Sequence, residues 1–410
     1  MKKILIIGYV WVEPNSSAAG SRMLQLIHFF STQGYQITFA TTAQKGDKAL
    51  DLKTLGVEEV KIELNASSFD DFIKDVEPSI VLFDRFMMEE QFGWRVAENC
   101  PNAIRILDTE DLHCLRKTRH AALKNKIDFD VKDLLKSDIA KREVAAILRC
   151  DLSLIISSFE MKLLQATFKI DQSLLLHLPF MFDLIDDEVI RDWKAFAARK
   201  HFITIGNFLH GPNVDAVLQL KKVIWPIIRQ KLPKAEMHIY GAYPTQQILE
   251  LHSKKEGFLI KGYAENATEV VAKAKVVLAP LRFGAGIKGK LTEAMLNGTP
   301  SVTTTLGAEG MHADLPWSGF VEDDFNVFAK RAFELYLSEK SWSDSQQKSI
   351  EIINNLYNKV TLEKLLLERI KELQNNIDFH RAQNFIGSLL HHQTLQSTKY
   401  MSKWIEEKNK

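Results

Sequence analysis

The sequence predicts an α/β protein built from two open, parallel sheets, each covered by helices, whose loops face one another across a cleft. Three observations lead there. Short apolar runs without polar alternation recur along the chain, the mark of strands buried on both faces. Helical stretches separate them, so strand and helix alternate. The series breaks once, at Leu178-Pro179-Phe180 and the charged run from Asp183 to Lys200, and a second series starts at His201. A chain of 410 residues also exceeds what one core usually serves.

In order, the first half offers strands at Ile4 to Ile7, Ile37 to Ala40, Val60 to Glu63, Ile80 to Phe83, Ile104 to Leu107, Leu152 to Ile156 and Leu174 to His177. The opening MKKILIIG has the look of a leader peptide. A strand fits better, because the helical pattern of Met23, Leu26, Ile27 and Phe30 and then a second strand follow it. The second half offers strands at Phe202 to Ile205, Ala235 to Tyr240, Phe258 to Ile260, Val276 to Ala279 and Ser301 to Thr304. Beyond Asn326 the chain reads as helix, with Leu362, Leu365, Leu366, Ile370 and Leu373 on one face and a polar tail over 399–410. The expected division is an N-terminal domain at 1–180, a linker at 181–200, a C-terminal domain at 201–357, and helices at 358–410 that pack back on the N-terminal domain.

Composition narrows the class. Lys and Arg total 53 against 52 Asp and Glu, a net charge of +1 that gives no global reason to bind nucleic acid. Three scattered cysteines form neither a CxxC pair nor a disulfide framework, which fits a reducing cytoplasm. No window approaches 18 apolar residues, so a spanning helix is not expected, and peripheral contact with a membrane is left open.

Pro280 to Gly310 carries the densest chemical signal. The strand Val276 to Ala279 ends in a proline, a glycine-rich loop follows with Gly284, Gly286 and Gly289 among Arg282, Lys288 and Lys290, and a helix begins near Lys290. Backbone N–H groups of such a loop and of a helix start can approach an anion closely, with cations around it. Loops at Gly206 and Gly241 also leave the carboxyl ends of strands, where open α/β sheets bind ligands.

The run PLRFGAGIKGKLTEAMLNGTPSVTT, with KVVLA and IKGYAEN before it, resembles the donor-site signature of retaining nucleotide-sugar glycosyltransferases of the family 4, or group 1, type. The resemblance implies the GT-B fold: two Rossmann-like domains, the nucleotide sugar on the C-terminal one and the acceptor on the N-terminal one. It implies that Lys290 faces the donor diphosphate, that Arg282, Gly284, Ala285, Gly286, Ile287 and Lys288 form the donor loop, and that Glu293 accepts from the ribose hydroxyls. Gly206 and Tyr263 join the donor site, Tyr263 beside the base, and Glu309 borders the sugar. Two departures stand out. The first of two glutamates common to the family falls on Ala285, and the Arg and Lys common after the first donor-domain strand are replaced by Asn207 and by Gly211-Pro212-Asn213.

In the N-terminal half, the loop Tyr9 to Gly20 lacks the GxGxxG of dinucleotide oxidoreductases. Gly20 would allow close approach and Arg22 would meet a phosphate. Asp108, Asp111, His113 and Arg116 follow a strand directly. His113 and Asp108 are candidates to orient the acceptor hydroxyl or touch the donor sugar, and Arg116 lines the cleft. Asp128-Phe129-Asp130 is surface rather than a metal motif, and no metal site is expected. The expected activity is metal-independent, retaining transfer of a hexosyl group from a nucleoside diphosphate sugar to a saccharide, lipid-linked or protein hydroxyl, with no cofactor. A GT-B nucleotide-sugar epimerase and a binding module without turnover are the alternatives.

Overall fold

The computed structural model describes residues 2–392 and 395–408. Its first sheet has seven strands: β1 (Lys3–Gly8), β2 (Gln36–Thr41), β3 (Glu58–Lys61), β4 (Ile80–Asp84), β5 (Ile104–Asp108), β6 (Leu152–Ile155) and β7 (Leu175–His177). They lie in the order β3-β2-β1-β4-β5-β6-β7, all parallel. The second has six: β8 (Phe202–Ile205), β9 (Met237–Tyr240), β10 (Phe258–Gly262), β11 (Val276–Ala279), β12 (Ser301–Thr303) and β13 (Gly319–Val321), in the order β10-β9-β8-β11-β12-β13, again parallel. Strand order reverses at β1/β4 in one sheet and at β8/β11 in the other. The loops after these strands are therefore where ligands are expected.

Each apolar run serves two cores, because successive side chains of a strand point to opposite faces. Leu5, Ile7, Val81, Phe83 and Leu107 pack on one side of the first sheet, and Ile4, Ile6, Ile80, Leu82 and Ile106 on the other. In the second sheet, Phe202, Met237, Val276 and Leu278 face one core and Ile203, Val277 and Ala279 the other. Two strands differ from the reading of the sequence. The edge strand β3 lies two residues earlier than expected, where pairing with β2 puts Thr38 opposite Glu58 and their side chains hydrogen-bond at 3.0 Å. The three-residue β13 carries no apolar run. Its Gly319 sits at φ 134°, where an added Cβ would stand 1.9 Å from the Ser301 carbonyl oxygen.

The segment 181–200 is not unstructured. It holds the helix Asp187–Asp192, capped by Asp186, and ends at Arg199. That guanidinium is buried, donates to Thr299 and to the Asn297 carbonyl, and lies 4.9 Å from the Trp342 ring. The chain passes between the sheets twice, and the two passages lie side by side: Phe182 N–H donates to Tyr357 O and Lys359 N–H to Phe182 O, both at 2.8 Å.

After the second passage, the helix Lys359–Gln383 lays Leu362, Leu366, Ile370 and Leu373 into the core beneath β1 and β4. Leu365, expected on that face, is instead exposed. The helix bends at Asn376, and Arg381 beyond the bend clasps Asp151 with two 2.8 Å bonds. The tail belongs to the helix Leu395–Lys408, and residues 409 and 410 lie outside the described ones. Because Leu366 is fully buried, Leu366→Ala is expected to cost about 2 to 5 kcal/mol. Urea unfolding followed by circular dichroism measures this, and the loss should fall on the N-terminal sheet that Leu366 covers.

Candidate active site

The loop after β11 leads into the helix Gly289–Leu296, whose first turn has neither a capping side chain nor an acidic residue. Lys290 stands in that turn. Its ammonium donates to Asn213 Oδ1 at 2.8 Å, and among the described residues no carboxylate pairs with it. Burial alone lowers its pKa to about 8. Asn213 is itself fixed by its amide donating to the Asn207 carbonyl, and Gly206 leaves room for it, since a Cβ there would lie 2.6 Å from Asn213 Nδ2. Asn207 and Asn213 thus form one unit: neutral amides that position a lysine without cancelling its charge. His210, on the same loop, is driven to about 4 by burial and is neutral at pH 7.

Glu293, one turn on, shares a helix face with Lys290. Its Oε1 accepts from Thr268 Oγ1 at 2.7 Å and from the Asn297 amide at 2.8 Å. It lines a cavity of about 420 Å3 between the helix Ala18–Thr32 with its preceding loop, represented by Pro14 and Asn15, and the segment Glu265 to Thr268. Tyr263, just before that segment, lies under the Lys48 ammonium, 3.8 Å from its ring centre. At the same mouth the Tyr243 hydroxyl reaches the Glu13 carboxylate at 2.9 Å.

The opposite wall is the end of β5. Asp111 accepts two bonds from Arg116, at 2.7 and 3.2 Å. Burial would raise its pKa, but Arg116, His113 and His210 hold the carboxylate well below the usual range. His113 Nδ1 lies 3.3 Å from Asp111, and its backbone N–H is capped by Glu143 at 2.9 Å. Glu110 has a left-handed backbone, φ 60°. Burial, then Asp108 and Asp84, push its pKa well up.

Three expectations for this wall are corrected. Asp108 is completely buried and cannot meet an acceptor, because both its oxygens bind Arg22 Nε, at 2.8 and 3.1 Å. Arg22 is equally enclosed and also donates to the Leu178 carbonyl at 2.7 Å, so it ties helix, strand and interdomain passage together instead of reaching a phosphate. Gly20 is needed inside its own loop: a Cβ there would lie 2.3 Å from the Glu13 carbonyl oxygen.

Contacts between the two halves explain the rest of the glycine-rich loop. Gly286 N–H donates to Glu160 Oε1 at 2.8 Å, and the same oxygen accepts from Leu112 N–H at 3.0 Å. Burial, then Asp111, raise Glu160 to about 8, against the pull of those donors. Arg119 holds Glu309 with bonds of 2.7 and 2.8 Å and the Gly284 carbonyl at 3.0 Å. His120 stacks on Phe283 with centres 4.3 Å apart. Lys288, lowered to about 8 by burial despite Glu309 and Glu160, donates to the Gly286 carbonyl. Ala285 packs on the N-terminal core, and Ile287 is buried in the C-terminal one. Arg282 is bound by Asp215, one contact at 2.9 Å, and so does not supply a charge to the loop.

Sequence reasoning named Lys290 and Glu293 in one half and Asp108, Asp111, His113 and Arg116 in the other, and did not name Glu160, Arg119 or His210. Glu160 and Arg119 lie within helices, Ser158–Ala166 and His113–Asn125, and only the closing of the cleft gives them a role. His210, between two loop residues already noted, was the legible omission. Among the described residues, no group of three or more His, Cys, Asp or Glu side chains is placed to hold a metal ion.

Residues 199–336 match the family described as Glycosyl transferases group 1. No curated protein matches the sequence. Among solved structures, a TarM mutant of S. aureus in complex with Fondaparinux, alpha-GlcNAc-glycerol and UDP aligns with a TM-score of 0.68 at 12% identity, over 92% of this chain and 100% of that one. Sucrose-phosphate synthase of Thermosynechococcus elongatus aligns at 0.67 and 13%, over 91% and 99%. HepE of Anabaena in complex with UDP and glucose aligns at 0.65 and 13%, over 90% and 100%. The shared fold is GT-B.

Gly286 has φ 64° and a Cβ there would stand 2.8 Å from Asp111 Cβ. Gly286→Ala should therefore hold the halves apart, and it should cost about 1 to 3 kcal/mol if the left-handed backbone is kept. Small-angle X-ray scattering should show a larger radius of gyration than for the unchanged chain.

Proposed function

We propose that this chain, a glycosyltransferase by the group 1 domain at residues 199–336 and by its GT-B frame, transfers a hexosyl group from a nucleoside diphosphate sugar to a hydroxyl of a saccharide, lipid-linked or protein acceptor, with retention of configuration. The observation that carries the reading is Lys290: a partly buried cation set at an uncapped helix start, with a neutral amide as its partner. A buried charge without a counter-charge is costly, and a diphosphate seated there would offset that cost. Glu293 then accepts from the ribose hydroxyls in the adjoining cavity, and the base lies toward Tyr263.

As the bond from the anomeric carbon to the phosphate oxygen breaks, negative charge gathers on the leaving diphosphate. Lys290 and the first-turn N–H groups meet that charge where it forms. The acceptor oxygen attacks from the face the diphosphate leaves, its proton passing to the departing phosphate oxygen, so configuration is retained. His113, held beside Asp111, is suited to orient the acceptor. Contacts across the cleft exclude water and limit hydrolysis of the donor. No step in this scheme is routed through a metal or a cofactor. A cytoplasmic setting fits the free cysteines Cys100, Cys114 and Cys150, and no helix among the described residues is long and apolar enough to cross a membrane.

The HepE and TarM complexes contain UDP, so UDP sugars are the first donors to test, followed by GDP and ADP sugars. Binding should raise the melting temperature in proportion to RT ln(1 + [L]/Kd). A panel without any stabilisation would return the chain to a binding module that does not use nucleotide sugars. Lys290→Ala should lower kcat by about 10² to 10³, and intact transfer in both Lys290→Ala and Glu293→Ala would remove this site assignment. Lys290 must be protonated to hold the diphosphate, so kcat/KM should fall as pH rises through about 8. In Lys290→Arg that alkaline limb should vanish from the profile, because a guanidinium keeps its charge.

A further inference from the structure

A second cavity, of about 440 Å3, lies on the N-terminal domain far along the strands from the cleft. It opens between the amino end of β5, the close of the helix Asp138–Arg149, and the returning C-terminal helices. Arg105, Arg149, Arg381, His391, His392 and Ser388 line it. Its size falls within the range of small-ligand pockets, about 300 to 1,000 Å3.

Its guanidinium groups are unequally paired. Arg149 is matched by Glu89, with Nε at 2.8 Å, and Arg381 takes both oxygens of Asp151 at 2.8 Å. Asp151 also accepts the Arg105 backbone N–H at 2.8 Å. The Arg105 guanidinium is left with the longest carboxylate contact of the three. Its Nε stands 3.8 Å from Asp151 and, fully buried, donates to no acceptor among the described residues. Arg105 as a whole is 8% exposed. Its NH1 is directed at His391 Nε2, 2.9 Å away, while the same ring nitrogen lies 3.1 Å from the Arg149 carbonyl. One nitrogen cannot accept from the first and donate to the second at once. The neutral tautomer of His391 with Nε2 bare accepts from Arg105. Protonated, it donates to the Arg149 carbonyl and frees Arg105 NH1.

We propose that this pocket binds a small phosphomonoester, its phosphate taken by Arg105 and by protonated His391, as a site separate from the cleft. Guanidinium forks suit phosphate oxygens, and the ligand would give Arg105 a closer counter-charge than Asp151 at 3.8 Å. Because Arg381, Asn384 and His391 come from the C-terminal helices and Arg105 from β5, an occupied site fastens those helices to the N-terminal sheet. Binding is coupled to protonation. Burial, then Arg105 and Arg149, hold His391 below its ordinary pKa, and Asp151 only partly opposes them. The other charged groups of the pocket are Arg381, which Asp151 engages, and His392. An anion favours the charged ring, so affinity should rise as pH falls.

The test is calorimetric titration of the full chain with glucose 6-phosphate and, separately, with sulfate, whose charge is constant over the range used, against sodium chloride of equal ionic strength. Binding of glucose 6-phosphate beyond the chloride control, lost in His391→Ala and in Arg105→Gln, is the expected result. Sulfate affinity should increase about fivefold or more from pH 7.5 to 5.5, as linkage to one proton requires. His391 is at the surface, so His391→Ala should melt like the unchanged chain, which keeps loss of binding distinct from loss of fold. No binding beyond chloride, equal binding in His391→Ala, or a sulfate affinity independent of pH would each overturn the proposal.

Discussion

One carboxylate oxygen, Glu160 Oε1, accepts main-chain N–H groups from both halves of the molecule, Leu112 from the first and Gly286 from the second. The closed form of the cleft is organised around it. Leu112 precedes the helix that carries His113, Arg116 and Arg119, and Gly286 lies in the loop that leads to Lys290. This acceptor joins the two walls, beside the contacts of Arg119 with Glu309 and of His120 with Phe283. Burial, with Asp111 adding to it, raises the Glu160 pKa to about 8 against the pull of those two main-chain donors.

An economy of charge runs through the site. Arg22 is matched to Asp108, Arg116 to Asp111, Arg119 to Glu309 and Arg282 to Asp215. These pairs are structural: they hold helices, strands and loops in register, and an anion would have to displace a carboxylate to use them. Lys290 is different because its partner is an amide. The loop after β8 contributes the neutral amides Asn207 and Asn213 beside it. Ala285 packs on the N-terminal core, and the carboxylate that contacts its loop comes from the other half as Glu160.

The two cavities use opposite ends of the first sheet. The cleft lies at the carboxyl ends of β1, β4 and β5, as strand order dictates. The guanidinium pocket lies at the amino end of β5, which the returning helices cover. Both are walled by segments distant in sequence, Ser21 and Gln25 against Glu293 in one and Arg105 against His391 in the other.

Much of this was open to reading from the residues alone. Strand runs such as Ile4 to Ile7 and Val276 to Ala279 announce themselves because a strand buried on both faces has no polar position to spare. The glycine-rich loop and Lys290 are legible because an anion-binding turn is local, made of neighbours in the chain. The edge strand β3 and the short β13 were misplaced or missed because pairing partners, not local composition, fix their limits. Arg22 and Asp108 read as cleft residues, since a charged side chain after a strand looks available until its partner is known. They lie 86 positions apart, and only folding brings them to 2.8 Å. The sequence by itself determined the two sheets, the glycine-rich loop and the helix that starts at it, because these depend on periodicity and on backbone chemistry within a few residues. Tertiary structure decided which charges are spent on each other and which remain for a ligand, because ion pairing depends on distance in space, which the order of residues along the chain does not contain.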